Sequence, residues 1–291
     1  MIPRQAPETP QLHILQLRDV SLSIWEWPGV ENEAHSPLLF AHATGFHGRL
    51  WDTVVRMLPG RRVLAVDLRG HGRSDKPAPP YHWRAFGGDV AEVIGALRLR
   101  NLIGVGHSSG GHAMALAAAL APEVFRALLL IDPTIFPPDR YLQPRIDASF
   151  TLRRKAHFSS PEEMIERFRS RAPFATWRPE VLRDYCRFGL VPHNDQFVLA
   201  CPPAVEASIY AESNAPESDI YPEVARVTRP VIVLRAGKER PADAIDLSAS
   251  PTAPDLASKF PHGRDIVLPG QSHYIPMEVP ERVVEEVEKL A

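Results

Sequence analysis

The stretch that most restricts how this chain can fold is Leu102 to Ala121, LIGVGHSSGGHAMALAAALA. It opens on the apolar run Leu102-Ile103-Gly104-Val105, which reads as a buried strand, and closes on an alanine- and leucine-rich run that reads as a helix. Between them lies Gly106-His107-Ser108-Ser109-Gly110, a G-x-S-x-G pattern. A sharp strand-to-helix turn of this kind lifts one side chain clear of the backbone, and glycines flank it where no Cβ fits. Ser108 then stands at the N-terminus of a helix whose dipole favours negative charge. The pattern alone is common by chance, but here it falls at the strand–helix junction it requires. Ser108 is therefore a candidate nucleophile, with a packed structural turn as the alternative.

A length of 291 residues suffices for one large α/β domain with an insertion. A net charge of −2 with both signs interspersed gives no reason to expect a nucleic-acid or anionic-membrane partner. The opening MIPRQAPETPQ lacks the apolar core of a signal peptide, and no run approaches the ~20 apolar residues of a membrane span. A cytoplasmic enzyme is the expectation. Cys186 and Cys201 could pair by spacing, but two cysteines make no disulfide framework and are expected as reduced thiols.

The rest of the chain alternates. Leu12–Leu17 and Ser21–Trp27 read as an antiparallel hairpin. Strands are expected at Leu38–His42, Val63–Asp67, Ala127–Ile131, Val231–Arg235 and Asp265–Leu268, and helices at Trp51–Leu58, Trp83–Leu97, near Pro254–Phe260 and at Pro280–Leu290. Strands alternating with helices imply a mostly parallel sheet with right-handed crossovers. From Thr134 to Arg226 the pattern changes to helical segments at Arg145–His157, Pro161–Arg171, Pro179–Phe188 and Pro203–Ala211, each with proline near its start. This predicts a core of residues 1–133 and 227–291 carrying an all-helical cap of residues 134–226.

A serine hydroxyl needs a base to take its proton. Of 12 histidines, His273 is the one in a polar loop between the last strand and the last helix, on the sheet edge that carries Ser108. His107, next to Ser108, points the other way and is expected to pack or hydrogen-bond beneath the turn. Acyl transfer also needs donors for an oxyanion. The backbone N–H of Ser109 is one, and Thr44 in His42-Ala43-Thr44-Gly45-Phe46-His47-Gly48 is the candidate for the other, its hydroxyl a candidate third.

With His42 to Gly45, Asp67-Leu68-Arg69-Gly70-His71-Gly72-Arg73-Ser74, Gly106 to Gly111 and Gly270 to Glu278 in view, the chain resembles the α/β-hydrolase superfamily, specifically serine hydrolases with a helical cap. The resemblance spans the chain and is specific for fold rather than substrate. It implies a loop-fixing role for Arg69 and Asp75 through ion pairs. It also implies an acid to orient His273. The commoner relatives place an aspartate three residues past a glycine after the strand at Val231–Arg235, but here that slot holds Arg240. Asp132, at the carboxyl end of Ala127–Ile131 and before Pro133, is the first candidate; Glu239 is the second, with Asp243 and Asp246 further on.

The expected reaction is hydrolysis of a small- to medium-sized apolar carboxylic ester or lactone through an acyl-enzyme on Ser108, with no cofactor and no metal. Carbon–carbon bond hydrolysis or perhydrolysis by the same triad is the alternative. A ligand-binding receptor on a hydrolase scaffold is the reading from a different class. The cap aromatics are expected mostly as cap core, and its arginines as solvated surface. A homodimer stays open, since a cap can dimerise.

Overall fold

The computed structural model describes residues 9–29, 35–238 and 246–291. Its centre is an eight-stranded sheet of β1 (Gln11–Gln16), β2 (Ser21–Trp27), β3 (Leu38–Ala41), β4 (Val63–Asp67), β5 (Leu102–His107), β6 (Phe125–Ile131), β10 (Val231–Ala236) and β11 (Gly263–Leu268), in the order β1-β2-β4-β3-β5-β6-β10-β11. The β1–β2 and β2–β4 pairs are antiparallel. Every other pair is parallel.

The central strands are apolar on both faces because helices cover both. Along β3, Leu39 and Ala41 pack with Val90, Val93 and Ile94 of α2 (Trp83–Ala96) and with the apolar residues of α3 (Ser109–Leu120). Leu38 and Phe40 pack the other way, with Val54 and Val55 of α1 (Asp52–Arg56) and Val283 and Val287 of α10 (Pro280–Leu290). Side chains alternate with period two, so a one-residue slip would exchange the two sets; each large apolar side chain buried is worth about 1.5–3 kcal/mol. Helix α3 is buried nearly all round, which is why its alanines show no polar face. Of the helix expected near Pro254–Phe260, only a 3₁₀ turn at Leu256–Lys259 forms.

Residues 134–226 carry α4 (Ser149–Leu152), β7 (His157–Phe158), α5 (Pro161–Phe168), α6 (Pro179–Phe188), β8 (Leu190–His193), β9 (Gln196–Leu199), α7 (Pro203–Glu212) and α8 (Tyr221–Val224). The expectation of an all-helical segment is corrected here. Strands β7, β9 and β8 form a small antiparallel sheet in that order. Val191, Phe197 and Val198 favour extended backbone, and a tight turn at Asn194-Asp195, with Asn194 at φ 51°, closes the hairpin. The expected helix at Arg145–His157 shrinks to α4. Arg145 and Arg154, on either side of it, are held by ion pairs to Glu212 and Glu206 on α7 instead of by a continued helical ladder. Cys186 and Cys201 are both free thiols and buried. No helix among the described residues is long and apolar enough to cross a membrane.

Candidate active site

Three strand ends converge at one edge of the sheet. Ser108 follows β5 with φ 56° and ψ −119°, a conformation side chains rarely adopt, and α3 begins at the next residue. The turn is locked by backbone bonds: Ser108 N–H donates to Ile131 O at 3.0 Å, while Ser108 O accepts from Gly111, His112 and Thr134 N–H at 3.0, 3.2 and 3.0 Å. A Cβ on Gly106 would stand 2.4 Å from Gly110 O, and one on Gly110 would stand 2.3 Å from Ala41 O, so the G-x-S-x-G spacing is a packing requirement.

Asp132 follows β6, at φ 42°. His273 lies in the loop after β11, its N–H bonded to Ser248 O at 2.8 Å. The three side chains form one chain of hydrogen bonds. His273 Nδ1 lies 2.6 Å from Asp132 Oδ2, and His273 Nε2 lies 2.9 Å from Ser108 Oγ. The consistent proton arrangement has Nδ1–H donating to Asp132 and Nε2 accepting from the Ser108 hydroxyl. All three residues are buried, Asp132 at 0% exposed.

The carboxylate of Asp132 is fixed by further donors. Its Oδ1 accepts from Ala236 N–H at 3.1 Å, from the Ser250 hydroxyl at 2.6 Å and from the Thr252 hydroxyl at 3.2 Å. Glu239, the second candidate, and Asp243 lie outside the described residues. Asp246 does not reach His273; the Ser248 hydroxyl and the Lys238 ammonium hold its carboxyl down at about 2.

His107 does lie beneath the turn, and its Nε2 donates to His273 O at 2.8 Å, which steadies the loop that carries His273. Ser272 adds to this, its N–H and hydroxyl both donating to Glu278, at 3.0 and 2.6 Å, the residue that ends α9 (Ile275–Glu278). Thr134 is a residue that the sequence did not single out. Its hydroxyl stands 3.0 Å from Ser108 Oγ. Since the Ser108 proton is directed at His273, Thr134 is the donor in that contact.

Thr44 lines the cavity beside Ser108, and its hydroxyl donates to Ser109 Oγ at 3.1 Å. That bond commits the hydroxyl, which is thus no free third donor. Neither backbone N–H, of Thr44 or of Ser109, bonds to another described residue. The loop bearing Thr44 is held by two neutral histidines. His71 Nε2 accepts from Gly45 N–H at 3.0 Å, and His42 Nε2 accepts from Leu68 N–H at 3.0 Å. Asp67 Oδ1 accepts from Gly48 N–H at 2.6 Å. Arg69 pairs with Asp89 on α2, at 2.6 Å, and Asp75 accepts from Ser21 N–H at 2.8 Å, so each fixes its loop but they belong to separate contacts.

Burial drives the His42 and His47 imidazoles down to about 3 and His112 to about 4. Burial, and then a neighbouring imidazole, push His71 and His107 well below the usual value. All five stay neutral at pH 7. In the unfolded chain they bind protons near pH 6.5, and in the folded chain they do not until far lower. The unfolded state therefore gains protons first as pH falls, and stability that is complete above about pH 6.5 is lost below it, at up to about 1.4 kcal/mol per pH unit for each such histidine. Guanidinium denaturation should show a clearly lower midpoint at pH 5 than at pH 7; equal midpoints would contradict the neutral, buried assignment.

Ser108, Thr134 and His273 open onto a cavity of about 780 Å³ whose lining comes mostly from residues 134–226. More of the aromatics in that segment face the cavity than expected: Phe136, Phe150, Phe168, Phe174 and Trp177 all line it. So do Arg140, Arg145 and Arg154, expected on solvated surface. Among the described residues, no group of three or more His, Cys, Asp or Glu side chains could hold a metal ion.

The family model described as the alpha/beta hydrolase family matches residues 38–286. A 2-(acetamidomethylene)succinate hydrolase of Mesorhizobium japonicum is 28% identical over 260 residues, covering 87% of each chain. The crystal structure of E-2-(acetamidomethylene)succinate hydrolase superposes with a TM-score of 0.78 at 23% identity, covering 97% of this chain and 98% of the other. That of an N-formylmaleamic acid deformylase from Pseudomonas putida does so with a TM-score of 0.72 at 22% identity, covering 95% and 100%.

Proposed function

The chain belongs to the alpha/beta hydrolase family, and on that premise we propose that it is a serine hydrolase acting on a carboxylic ester or lactone through an acyl-enzyme on Ser108. The observation that carries this reading is the unbroken Asp132–His273–Ser108 hydrogen-bond chain at the floor of the cavity. His273 Nε2 takes the Ser108 proton as Oγ attacks the carbonyl carbon. Asp132 stabilises the resulting imidazolium, and the Thr44 and Ser109 N–H groups receive the oxyanion. The carbon–oxygen bond to the leaving group breaks, and that oxygen takes the proton from His273. Water then gives His273 a proton and attacks the acyl carbon, and Ser108 Oγ leaves and recovers its proton. Residues 134–226 act as the cap that shapes the acyl pocket.

A second reading concerns charge. Arg140 and Arg145 line the cavity. The relatives above are named for acting on an acetamidomethylene succinate and a maleamic acid, both acids. On this reading Arg140 orients a substrate carboxylate, Arg145 being already paired with Glu212, and a carboxylate-bearing ester is preferred to a neutral one.

A fluorophosphonate tests the nucleophile directly. Intact protein should gain one phosphonyl adduct, on the peptide carrying Ser108, with parallel loss of p-nitrophenyl butyrate hydrolysis. An adduct elsewhere, or none, would overturn the reading. The order of rates on p-nitrophenyl acetate, butyrate and octanoate then sizes the acyl pocket.

A further inference from the structure

A second polar cluster faces the same cavity and takes no part in the chemistry above. Arg154, between α4 and β7, donates through Nη1 to Glu206 Oε2 on α7, and through Nη2 to the Tyr185 hydroxyl oxygen at 3.1 Å. Glu206 is only 5% exposed. Its other oxygen, Oε1, accepts no hydrogen bond from a described residue. That oxygen rests on the backbone beside the proposed oxyanion donor: a Cβ on Gly45, the residue after Thr44, would stand 3.1 Å from Glu206 Oε1 and 3.6 Å from Arg154 Nη1. Gly45 has φ 81°, a conformation that favours glycine, and the ion pair packs closely against it.

Donors are left over as well. The Tyr185 hydroxyl accepts from Arg154 and gives its own hydrogen to no described residue. The hydroxyls of Tyr210 and Tyr274 form no hydrogen bond with a described residue, and all five side chains line the cavity. Burying an ion pair is costly, and polar atoms buried with it are normally all paired. Here one acceptor and three donors face the space a substrate would fill.

The charge balance selects the ligand. Arg154 and Glu206 neutralise each other, so a carboxylate or an ammonium placed against this pair would leave one uncompensated charge there. A neutral carboxamide adds none, and it supplies an N–H for Glu206 Oε1 and a carbonyl oxygen for a tyrosine hydroxyl. We propose that Arg154, Glu206, Tyr185, Tyr210 and Tyr274 form a carboxamide-binding subsite beside the scissile carbonyl, so that the preferred acyl group carries an amide. This rests on the serine-hydrolase reading of Ser108.

The test compares three p-nitrophenyl esters of similar length, N-acetylglycinate, pentanoate and hydrogen glutarate, each kcat/KM divided by the ester's own hydroxide rate constant. The wild type should prefer N-acetylglycinate to pentanoate by about tenfold, the worth of about 1.4 kcal/mol. In Tyr185→Phe, Glu206→Gln and the double variant Arg154→Met/Glu206→Leu, that ratio should fall toward one. The double variant removes both charges together and so avoids stranding either one. A wild-type ratio near one overturns the subsite, and so does a ratio that survives the substitutions or a preference for glutarate above both. In all of those outcomes the wild type still turns over the esters. Failure of the Ser108 reading looks different, since none of the three esters would then turn over, and the subsite would fall with it.

Discussion

Asp132→Asn should lower kcat by about 10³- to 10⁴-fold while leaving the fold intact. The surroundings of the carboxylate dictate how. Three donors, Ala236 N–H and the Ser250 and Thr252 hydroxyls, converge on Oδ1. An asparagine must offer its carbonyl oxygen to them, which turns its NH₂ group toward His273 Nδ1. That nitrogen must then accept, the ring proton moves to Nε2, and Nε2 can no longer take the proton of Ser108. The substitution therefore disables the base through its tautomer and not through displacement. Glu239→Gln is the control, expected to remain within a few-fold of wild type. An Asp132→Asn enzyme within tenfold of wild type, or a larger loss in Glu239→Gln, would reassign the acid. Burst kinetics separate the cause further, because loss of the base should slow the burst phase itself.

What could be read from the sequence was what short-range geometry decides. The strand–turn–helix around Ser108 needs glycines at Gly106 and Gly110 because backbone lies where their Cβ atoms would be, and that constraint is written in five consecutive residues. Asp132 was legible as a carboxylate ending an apolar strand. What escaped depended on partners far apart in the chain. Thr134 gains meaning only because Ser108 Oγ lies 3.0 Å away. Arg69 finds Asp89 across a loop and a helix, and no local spacing announces that pair. Strand β8 was hidden by Pro192, which argues against a strand in isolation, yet it lies on the edge of its small sheet, where proline is tolerated. The arginines of residues 134–226 looked like solvated charge because nothing in sequence says that Arg154 and Glu206, 52 residues apart, meet inside a cavity.

Ser108 should reveal the stability cost of its own placement. Ser108→Ala removes the proposed nucleophile, and turnover should drop by about 10⁴-fold or more, to whatever the proposed oxyanion donors and binding alone support. The backbone strain remains in that variant, since alanine keeps the Cβ that disfavours φ 56°, ψ −119°. Ser108→Gly should be equally inactive but free of that strain, which for a residue in so sparsely populated a region amounts to about 1–3 kcal/mol. Part of this gain is offset by the extra freedom of glycine in the unfolded chain, roughly 0.4–1 kcal/mol. Both variants lose the same hydrogen bonds to His273 and Thr134, so the comparison between them isolates the backbone. The glycine variant should be the more stable of the two by about 1–2 kcal/mol in denaturant unfolding. Equal stability would mean that the turn fits a Cβ without strain. A serine held at such an angle only to pack the turn would gain nothing from it, whereas a nucleophile must be lifted clear of its neighbours to meet both His273 and the substrate. A measured cost that disappears together with activity would therefore tie the strained backbone to catalysis, as the price of exposing Oγ above the sheet edge.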